Sequence, residues 1–393
     1  MEEVDLAAVL RRMVEYAKTG TTASHPEGPR RNPVSTYTDP EQFELEKHRI
    51  FGESPQLLGL SGDLPEPGSY FCFDDLGVPI VALRDAEGQF RAFLNTCAHR
   101  AARLVEGCGK LRRGFVCPYH GWSYGLDGRL ERIFQQSTFG SVDTSRYGLR
   151  EIPSEEKYGF LYVATRPDAP LDVEAHLGDL GPELETWNLA AATPIETGEW
   201  NLETNWKLAL DTFCEGYHFG PLHAETIGRF AMTNTMTYDR YGSRLEHHRL
   251  GFPNKTVLDL AEKSESDWGE PFSHFNFVHF LFPNISLLVS PDAVELFRLY
   301  PGERVDQHTT RYSLYMRQPM DSEERWKAAK EHFRFIYSIV EQDDYRVSAA
   351  VQRNFNAGHV QYTTFGRNEP SLIDMHRSFR RGAGLSPVDE AAE

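Results

Sequence analysis

The sequence is short of cysteine, of basic charge and of long apolar runs. Its 393 residues include only five cysteines, and 58 acidic against 41 basic side chains give a formal net charge of −17. An acidic chain lacks the basic surface that binds phosphate backbones, so nucleic acid is not an expected partner. A small, odd number of cysteines disfavours a disulfide scaffold and fits a reducing compartment.

No segment has the character of a membrane span or a secretory signal. The longest apolar stretch, residues 277–290, is interrupted by His279, Pro283 and Asn284 and is too short to cross a bilayer. The N-terminus is acidic and lacks the basic region of a signal peptide. We therefore expect a cytoplasmic, globular chain without membrane contact, long enough for two or three domains.

Periodicity predicts helices at both ends of the chain and strands between them. Apolar residues at helical spacing predict a helix over 5–18, and Asp39-Pro40 predicts the start of another. Short strands and turns alternate over 70–166, with a hairpin around Asp85-Ala-Glu-Gly88. Strands covered by a long C-terminal helix indicate an α+β fold. The remaining expected elements are a helix at 201–219, strands at 235–250, 285–290, 294–300 and 309–316, and one long helix at 321–352.

A first metal motif pairs Cys97-Ala-His99 with Cys117-Pro-Tyr-His120, which follows after 17 intervening residues. Two cysteines and two histidines could hold structural zinc in a tetrahedron. They could also hold a Rieske-type [2Fe–2S] cluster, in which two cysteines bind one iron and two histidines bind the other. Each short loop here supplies one ligand of each kind, and this favours the cluster.

A second motif, Glu215-Gly-Tyr-His218 followed by His223, differs in chemistry. On an α-helix Asp211 and Glu215 would share a face with His218, and Gly220-Pro221 would end the helix before His223. Two histidines and one carboxylate form the typical non-haem Fe(II) site that leaves positions open for dioxygen. The carboxylate ligand has to come from elsewhere in the chain.

These motifs resemble those of Rieske non-haem iron ring-hydroxylating oxygenases, in their large (alpha) subunit. The resemblance rests on Asn95-Thr-Cys97-Ala-His99-Arg100, Cys117-Pro-Tyr-His120-Gly-Trp122, Asn205-Trp-Lys207 and the second motif. It implies an all-β Rieske [2Fe–2S] domain and a helix-grip (START-like) catalytic domain, in which a curved antiparallel sheet holds a long C-terminal helix. The expected domains are an N-terminal helical arm at 1–50, the Rieske domain at 51–168 and the catalytic domain at 169–393.

The resemblance also implies residue roles. The cluster ligands would be Cys97, His99, Cys117 and His120. The mononuclear iron ligands would be His218, His223 and Asp344, with the adjacent Asp343 as the open alternative. Glu215 would link a cluster histidine of one subunit to the iron site of its neighbour. Asn205 and Asp211 are expected to support catalysis, although a helix-start role for Asn205 and a capping role for Asp211 are equal alternatives.

The environment of the cluster motif allows two further expectations. Trp122 stands where respiratory Rieske proteins have a serine that bonds a cluster sulfur, so a low reduction potential is expected. Basic residues surround the motif, and they are either an ordinary solvated surface or a docking patch for an acidic electron donor. They are Arg100, Arg103, Lys110, Arg112 and Arg113.

The implied function is that of a terminal oxygenase. It would use O2 and electrons from NAD(P)H, delivered by a reductase with or without a ferredoxin, to monohydroxylate, dihydroxylate or demethylate a small aromatic substrate. Phe213, Phe219, Phe230 and Phe282 are candidates for its pocket. A head-to-tail homotrimer is implied, and a β subunit stays open.

Three alternatives remain. The first is a monooxygenase of a quaternary ammonium or methylated amine compound, because aromatic rings also bind such cations. The second is a non-catalytic Rieske electron carrier with a ligand-binding domain, in which His218, His223 and Asp344 would not converge. The third is a structural zinc protein.

Overall fold

The computed structural model describes residues 4–386 and Val388, and this part of the chain divides into two compact units. The small unit holds Phe51–His176 and Asn188–Ala191. The large unit holds the described residues up to Ile50, Leu177–Trp187 and those from Ala192 onward. The domain limits expected from the sequence stay a prediction, and residues 1–3, 387 and 389–393 lie outside the described part. None of the described helices combines the length and apolar character needed to span a bilayer.

The small unit is built from short antiparallel strands. Ile80–Arg84 and Phe90–Leu94 pair as the predicted hairpin, whose turn is closed by the Asp85 side chain accepting from the backbone N–H of Gln89. The other strands are Gln56–Leu60, Ser69–Phe73, Cys108–Lys110, Gly114–Val116, Ser123–Gly125, Leu130–Arg132, Glu151–Ile152, Ser154–Lys157 and Phe160–Val163. Its short helical turns are Ser61–Asp63, Gln136–Phe139, Thr144–Arg146, Val173–Leu177 (which continues into the large unit) and Leu189–Ala191.

One apolar core lies behind the first motif. Trp122, Tyr124 and Phe115 are fully buried in it and pack with Cys97 and Cys117. Both motif cysteines therefore belong to the core of the small unit, where water is excluded.

The large unit is organised around an antiparallel sheet. In spatial order its strands are Thr193–Leu202, His308–Met316, Ala293–Pro301, Ile285–Val289, Phe275–Leu281, His247–Pro253 and Thr237–Tyr241. A separate ribbon pairs Arg30–Pro33 with Tyr362–Phe365. The helical segments are Leu6–Thr19, Ser35–Thr38, Pro40–Leu45, Glu46–Phe51, Gly178–Leu180, Gly181–Thr186, Trp206–Asp211, Ile227–Arg229, Thr256–Leu260, Glu265–Asp267, Pro271–His274, Glu323–Ile339, Val340–Tyr345, Arg346–Asn356 and Pro370–Gly382.

The long C-terminal helix covers this sheet, as expected. Phe333 stacks on Tyr312 of the sheet, with ring centroids 4.9 Å apart, and Tyr337 stacks on Trp200 at 4.0 Å. The helix runs without interruption from Glu323 to Asn356, but Val340–Tyr345 forms a π-helical turn. The α+β fold with an all-β unit and a helix-covered antiparallel sheet is confirmed.

Two predicted elements are wrong. The helix expected over 201–219 is confined to Trp206–Asp211, because residues up to Leu202 belong to a strand and the chain turns after Asp211. The single strand expected over 235–250 is a hairpin of two strands that turns at Gly242, whose φ of 87° suits glycine. The strands Thr193–Leu202 and Phe275–Leu281 were not predicted.

Candidate metal centres

Two loops of the small unit repeat one backbone pattern. In each, the cysteine N–H donates to the carbonyl five residues later, and the cysteine carbonyl accepts from the N–H four residues later. The N···O distances are 2.8 and 2.9 Å from Cys97 and 2.8 and 3.0 Å from Cys117. The fourth residue after each cysteine, Ala101 or Gly121, is left-handed, with φ of 57° or 67°. Because the two turns share this backbone, each presents its cysteine and its histidine in the same arrangement.

The four side chains of the first motif come together. The rings of His99 and His120 lie 4.7 Å apart by their centroids, and both cysteines are at most 3% exposed. The Nδ1 atom of His99 is buried and has no hydrogen-bond partner among the described residues. A buried imidazole nitrogen without a partner is costly unless a ligand binds it, so this atom fits a cluster iron.

A hydrogen bond to sulfur was missed by the sequence. The hydroxyl of Tyr124 lies 3.1 Å from Cys97 Sγ and 3.1 Å from the backbone nitrogen of Ala98. Burial raises the pKa of the Cys97 thiol, and the Tyr124 hydroxyl counteracts this. This hydrogen bond reaches the sulfur of a cysteine ligand and does not replace the serine bond to a cluster sulfur that Trp122 lacks, so the low reduction potential stays a prediction. The only local signal was a tyrosine directly after the second loop.

Aromatic rings cover both histidines of the first motif. Trp122 stacks on His99 at 4.9 Å and Phe139 meets the same ring edge-on at 5.4 Å. Tyr119 lies against His120 with centroids 3.7 Å apart. The histidines are therefore partly exposed but shielded by rings rather than by charged groups.

The basic residues near this motif are partly neutralised. Arg103 forms ion pairs with Asp74 and Glu106, and Lys110 pairs with Glu66. Arg100 lies over the ring of Tyr119, 5.6 Å from its centroid. The positive charge available to a docking partner is therefore smaller than the sequence suggested, and the docking patch stays a prediction.

In the large unit, His218, His223 and Asp344 converge. One ligand atom from each can be chosen so that all lie within 4.8 Å of one another. Asp344 Oδ1 is 3.2 Å from His223 Nε2 and 3.5 Å from His218 Nε2. This spacing suits a single cation about 2 Å from each atom. The convergence contradicts the electron-carrier alternative, which required these side chains to be apart.

The chain around His223 is shaped by a close backbone approach. The carbonyl of His223 accepts from the N–H groups of Thr226 and Gly228, each at 2.9 Å. A Cβ atom on Gly228 would lie 2.8 Å from that carbonyl oxygen and 2.6 Å from the one of Phe219. Only glycine fits there, so the turn holds His223 facing His218 without a helix.

Glu215 contacts His218 through a local turn and not along a helix face. Its Oε1 accepts from His218 Nδ1, and its Oε2 accepts from the backbone N–H groups of Tyr217 and His218. Burial lowers the pKa of His218, but the hydrogen bonds to Asp344 and Glu215 outweigh it and raise the pKa to about 9. Burial raises the pKa of Asp344, and its contacts with His218 and His223 bring it below the usual value. Positive charge is thus stabilised where the three side chains meet.

Asp343 and Asp344 reach the same imidazole from the π-helical turn. Asp343 Oδ2 lies 3.2 Å from His223 Nδ1, whereas Asp344 approaches Nε2. Asp344 is buried and contacts both histidines, and Asp343 contacts one. The geometry therefore favours Asp344 as the third ligand and gives Asp343 a different position.

Asn205 and Asp211 take part in buried hydrogen bonds. Asn205 caps the helix Trp206–Asp211 by accepting from the N–H of Lys207, and its amide donates to the carbonyl of Val305. Asp211 accepts from the Tyr37 hydroxyl at 2.6 Å and from His376 Nε2 at 2.8 Å. These contacts support the helix that precedes Glu215, and a catalytic role for either residue stays a prediction.

The four phenylalanines proposed for a pocket are placed differently. The Phe219 ring lies 5.0 Å from His218 and 6.3 Å from His223 by centroids. Phe213 packs on Phe297 at 4.6 Å and on Tyr345 at 6.5 Å. Phe230 is 65% exposed, and Phe282 packs on Phe379. The described contacts join only Phe219 directly to the converging histidines.

Two family models match the chain. The Rieske [2Fe–2S] domain matches residues 54–148, and the catalytic domain of the ring hydroxylating alpha subunit matches residues 184–383, just over half of the chain. These domains carry a [2Fe–2S] cluster and a mononuclear iron, respectively.

Relatives and solved structures agree with these matches. The carnitine monooxygenase oxygenase subunit of Escherichia coli (strain K12) is 28% identical over 337 residues, 83% of this chain and 84% of the relative. The glycine betaine monooxygenase oxygenase subunit of Chromohalobacter salexigens is 34% identical over 60% of this chain and 50% of the relative.

The fold is shared with two kinds of Rieske oxygenase. The quaternary ammonium Rieske monooxygenase CntA in complex with L-carnitine has a TM-score of 0.74 at 19% identity, over 93% of this chain and 98% of that chain. Naphthalene 1,2-dioxygenase from Rhodococcus sp. has a TM-score of 0.70 at 19% identity, over 98% and 99%. The chain belongs to the ring hydroxylating alpha subunits, and it is an oxidoreductase of the Rieske oxygenase class.

Proposed function

We propose that this oxygenase hydroxylates a small N-methylated ammonium compound. The reaction would add one oxygen atom of O2 to a C–H bond and reduce the other to water, consuming two electrons and two protons. Cys97, His99, Cys117 and His120 would hold the cluster, and His218, His223 and Asp344 the iron. When bound, the iron supplies the dioxygen chemistry, and its two-histidine, one-carboxylate set leaves positions open for it.

The observation that carries the substrate class is an aromatic cluster that starts beside Asp344. We define it as Trp200, Phe213, Phe297, Tyr312 and Tyr345. Tyr345 meets Trp200 edge-on at 5.3 Å, and Tyr312 stacks on Phe297 at 4.6 Å. Ring faces attract alkylated ammonium groups through cation–π contacts, more strongly when water is excluded. Phe213 is the half-buried ring of this cluster, and the faces of Tyr312 and Trp200 are covered by Phe333 and Tyr337.

A buried carboxylate lies next to this aromatic cluster. Glu295 is 4% exposed, and burial together with the Glu295 charge raises the pKa of Tyr312. The Tyr312 hydroxyl has no hydrogen-bond partner among the described residues. Glu295 is itself paired with His332, whose Nε2 lies 3.0 Å from Oε1, so the rings carry more of the preference for a cationic substrate than this carboxylate does. The sequence relatives named above act on carnitine and glycine betaine, which supports the same class.

An aromatic substrate is the second candidate. Phe219 lies against both histidines of the iron site, and a flat ring could stack on it. Charge on the substrate separates the two candidates, because only the first needs a cation.

A substrate panel tests the proposal. Purified enzyme, reduced chemically or by a suitable reductase, is given L-carnitine, choline, glycine betaine, indole and the uncharged tert-butyl analogue of choline. Oxygen uptake and product formation are measured. We expect turnover of at least one ammonium compound, none of the tert-butyl analogue, and none by Asp344→Ala. Turnover of indole alone would favour the aromatic candidate, and a wild-type enzyme without mononuclear iron would overturn the assignment.

We further propose that electrons cross a subunit boundary through Glu215 within a homotrimer, after delivery by a reductase or ferredoxin in the cytoplasm. Co-expression of two inactive chains tests this crossing. One chain carries Cys97→Ser in the cluster site, and the other carries Asp344→Ala in the mononuclear iron site. Recovered activity in the mixed oligomer supports it, because the cluster of one chain then serves the iron of the other. No recovery in verified mixed oligomers would place the transfer within one chain.

A further inference from the structure

We propose that Asp343 is a positioning residue that fixes His223 as an iron ligand. It would do at His223 what the carboxylate of Glu215 does at His218. This inference rests on the proposed function, since it takes His218, His223 and Asp344 as the iron ligands.

Asp343 determines which nitrogen of His223 is free. The ring is 1% exposed, with Asp343 Oδ2 3.2 Å from Nδ1 and Asp344 Oδ1 3.2 Å from Nε2. Both nitrogens face a carboxylate at the same distance, and a carboxylate only accepts hydrogen bonds. With Nε2 and Asp344 taken as iron ligands, Nδ1 is the nitrogen that carries the hydrogen and donates it to Asp343. Nε2 then keeps its lone pair, and this is the nitrogen that faces His218 and Asp344.

The π-helical turn explains how two successive aspartates can both contact one imidazole ring. In a regular α-helix, neighbouring side chains diverge by about 100° around the axis. Residues Val340–Tyr345 instead form a wider turn, and wide turns of this kind often occur at functional sites. Asp343 then faces Nδ1 and Asp344 faces Nε2, the two nitrogens on either side of the ring carbon Cε1.

No other contact accounts for Asp343. It lines a surface groove of about 490 Å³ together with Pro221, Leu222 and Gln342, and its side chain is 26% exposed. Among the described residues, His223 is its polar partner, and no lysine or arginine pairs with it. A carboxylate left for solvent alone would turn into the groove, whereas this one points at a buried ring.

A carboxylate on the second nitrogen of a ligand histidine holds the ring and makes it a stronger donor. Loss of such a partner typically lowers metal affinity or activity about 10- to 100-fold. Asp343 is therefore expected to act on how tightly the iron is held, without contacting it.

The test compares Asp343→Ala, Asp343→Asn and the charge-matched control Glu341→Gln with the wild type. Glu341 is exposed on the same π-helical turn. The rate at which a ferrous chelator removes the mononuclear iron is measured, and the Rieske EPR signal serves as an internal measure of folding. The EPR spectrum of the ferrous nitric oxide adduct reports the ligand field.

We expect Asp343→Ala to lose iron about 10- to 100-fold faster, with an altered nitric oxide spectrum and an unchanged Rieske signal. Asp343→Asn keeps an oxygen acceptor and should recover much of the retention, whereas Glu341→Gln should match the wild type. If Asp343→Ala also loses the Rieske signal, Asp343→Asn decides the question.

Iron release at the wild-type rate from both Asp343 variants would overturn the inference and leave the proposed function intact. Faster release from Glu341→Gln to the same extent would also overturn it, since a general charge effect would then suffice. A wild-type enzyme that binds no mononuclear iron would instead remove the proposed function on which the inference rests.

Discussion

His99 of the first centre offers a different nitrogen from the histidines of the second centre. In the small unit, His99 is surrounded by rings, and its Nδ1 is buried without a hydrogen-bond partner among the described residues. In the large unit, the Nδ1 atoms of His218 and His223 face carboxylates, and their Nε2 atoms converge. The groups behind a histidine thus decide which atom can bind metal, and carboxylates there add negative charge to one centre only.

The largest expected effects come from removing one metal centre at a time, which tests whether the two centres are independent. Cys117→Ser should remove the cluster and keep the mononuclear iron, whereas His223→Ala should do the reverse, and each should abolish turnover. The ligands lie in different units with separate buried cores. Iron content and the Rieske EPR signal check both outcomes. Loss of both centres in either variant would show that one centre depends structurally on the other.

The sequence predicted the two centres unequally for a physical reason. Cys97, His99, Cys117 and His120 lie in two short loops, where local spacing nearly determines which side chains meet. Asp344 is 121 residues from His223, and only the resemblance suggested it. Asp344 was favoured by the resemblance, but Asp343 stayed an alternative, because the π-helical turn that gives them different positions has no evident sequence signal.

The same limit applies to the fold. Alternating apolar residues and turn signals predicted the hairpin at Ile80–Arg84 and Phe90–Leu94, which forms by local pairing. The predicted helix over 201–219 failed because residues up to Leu202 pair with a distant strand and the backbone turns directly after Asp211. Glu215 still reaches His218, but through backbone N–H groups at a turn.

Removing the negative charge of the carboxylate that contacts His218 Nδ1 should have the next largest effect on turnover. Glu215→Gln keeps the length of the side chain and loses the carboxylate that accepts from Nδ1. We expect turnover to fall about 10- to 100-fold with most of the iron retained. The control is Glu225→Gln, an exposed acid paired with Arg229 in the following segment. A fall in turnover that simply follows iron loss would show that Glu215 acts only by holding His218.

Another buried histidine, His248, has no hydrogen bond to a carboxylate among the described residues, although the charge of Asp374 opposes part of the effect of burial on its pKa. His248 bonds to the Ser371 hydroxyl at 2.9 Å, and burial lowers its pKa to about 3. The pKa of His218 is raised to about 9 by its carboxylate contacts. An unfolded histidine has a pKa of about 6.5, so below that pH the unfolded chain takes up a proton that folded His248 does not.

Above about pH 6.5, His248 therefore has no effect on how the free energy of unfolding depends on pH. Below that pH it lowers the free energy of unfolding progressively, down to about pH 3. At pH 5.5 the loss is about 1.4 kcal/mol. Urea unfolding of the wild type and His248→Asn at pH 7.5 and 5.5 checks this, since the variant should lose that part of the pH dependence. Equal pH dependence in both proteins would mean that His248 is protonated in the folded state.

The smallest expected effect is on thermal stability, and it comes from substitutions in the two cysteine loops of the small unit. Ala101 and Gly121 occupy the same left-handed position, which costs a residue with a Cβ about 1 kcal/mol. At Gly121 an added Cβ would meet Phe134 at an ordinary 3.5 Å, so the backbone alone opposes alanine. Gly121→Ala should lower the temperature at which the cluster colour is lost by a few degrees, and Ala101→Gly should raise it. Because the backbone hydrogen bonds of both cysteines follow the same pattern, the two shifts should have opposite signs and similar size. Shifts of the same sign would mean that the loops are held by the cluster and not by their backbone turns.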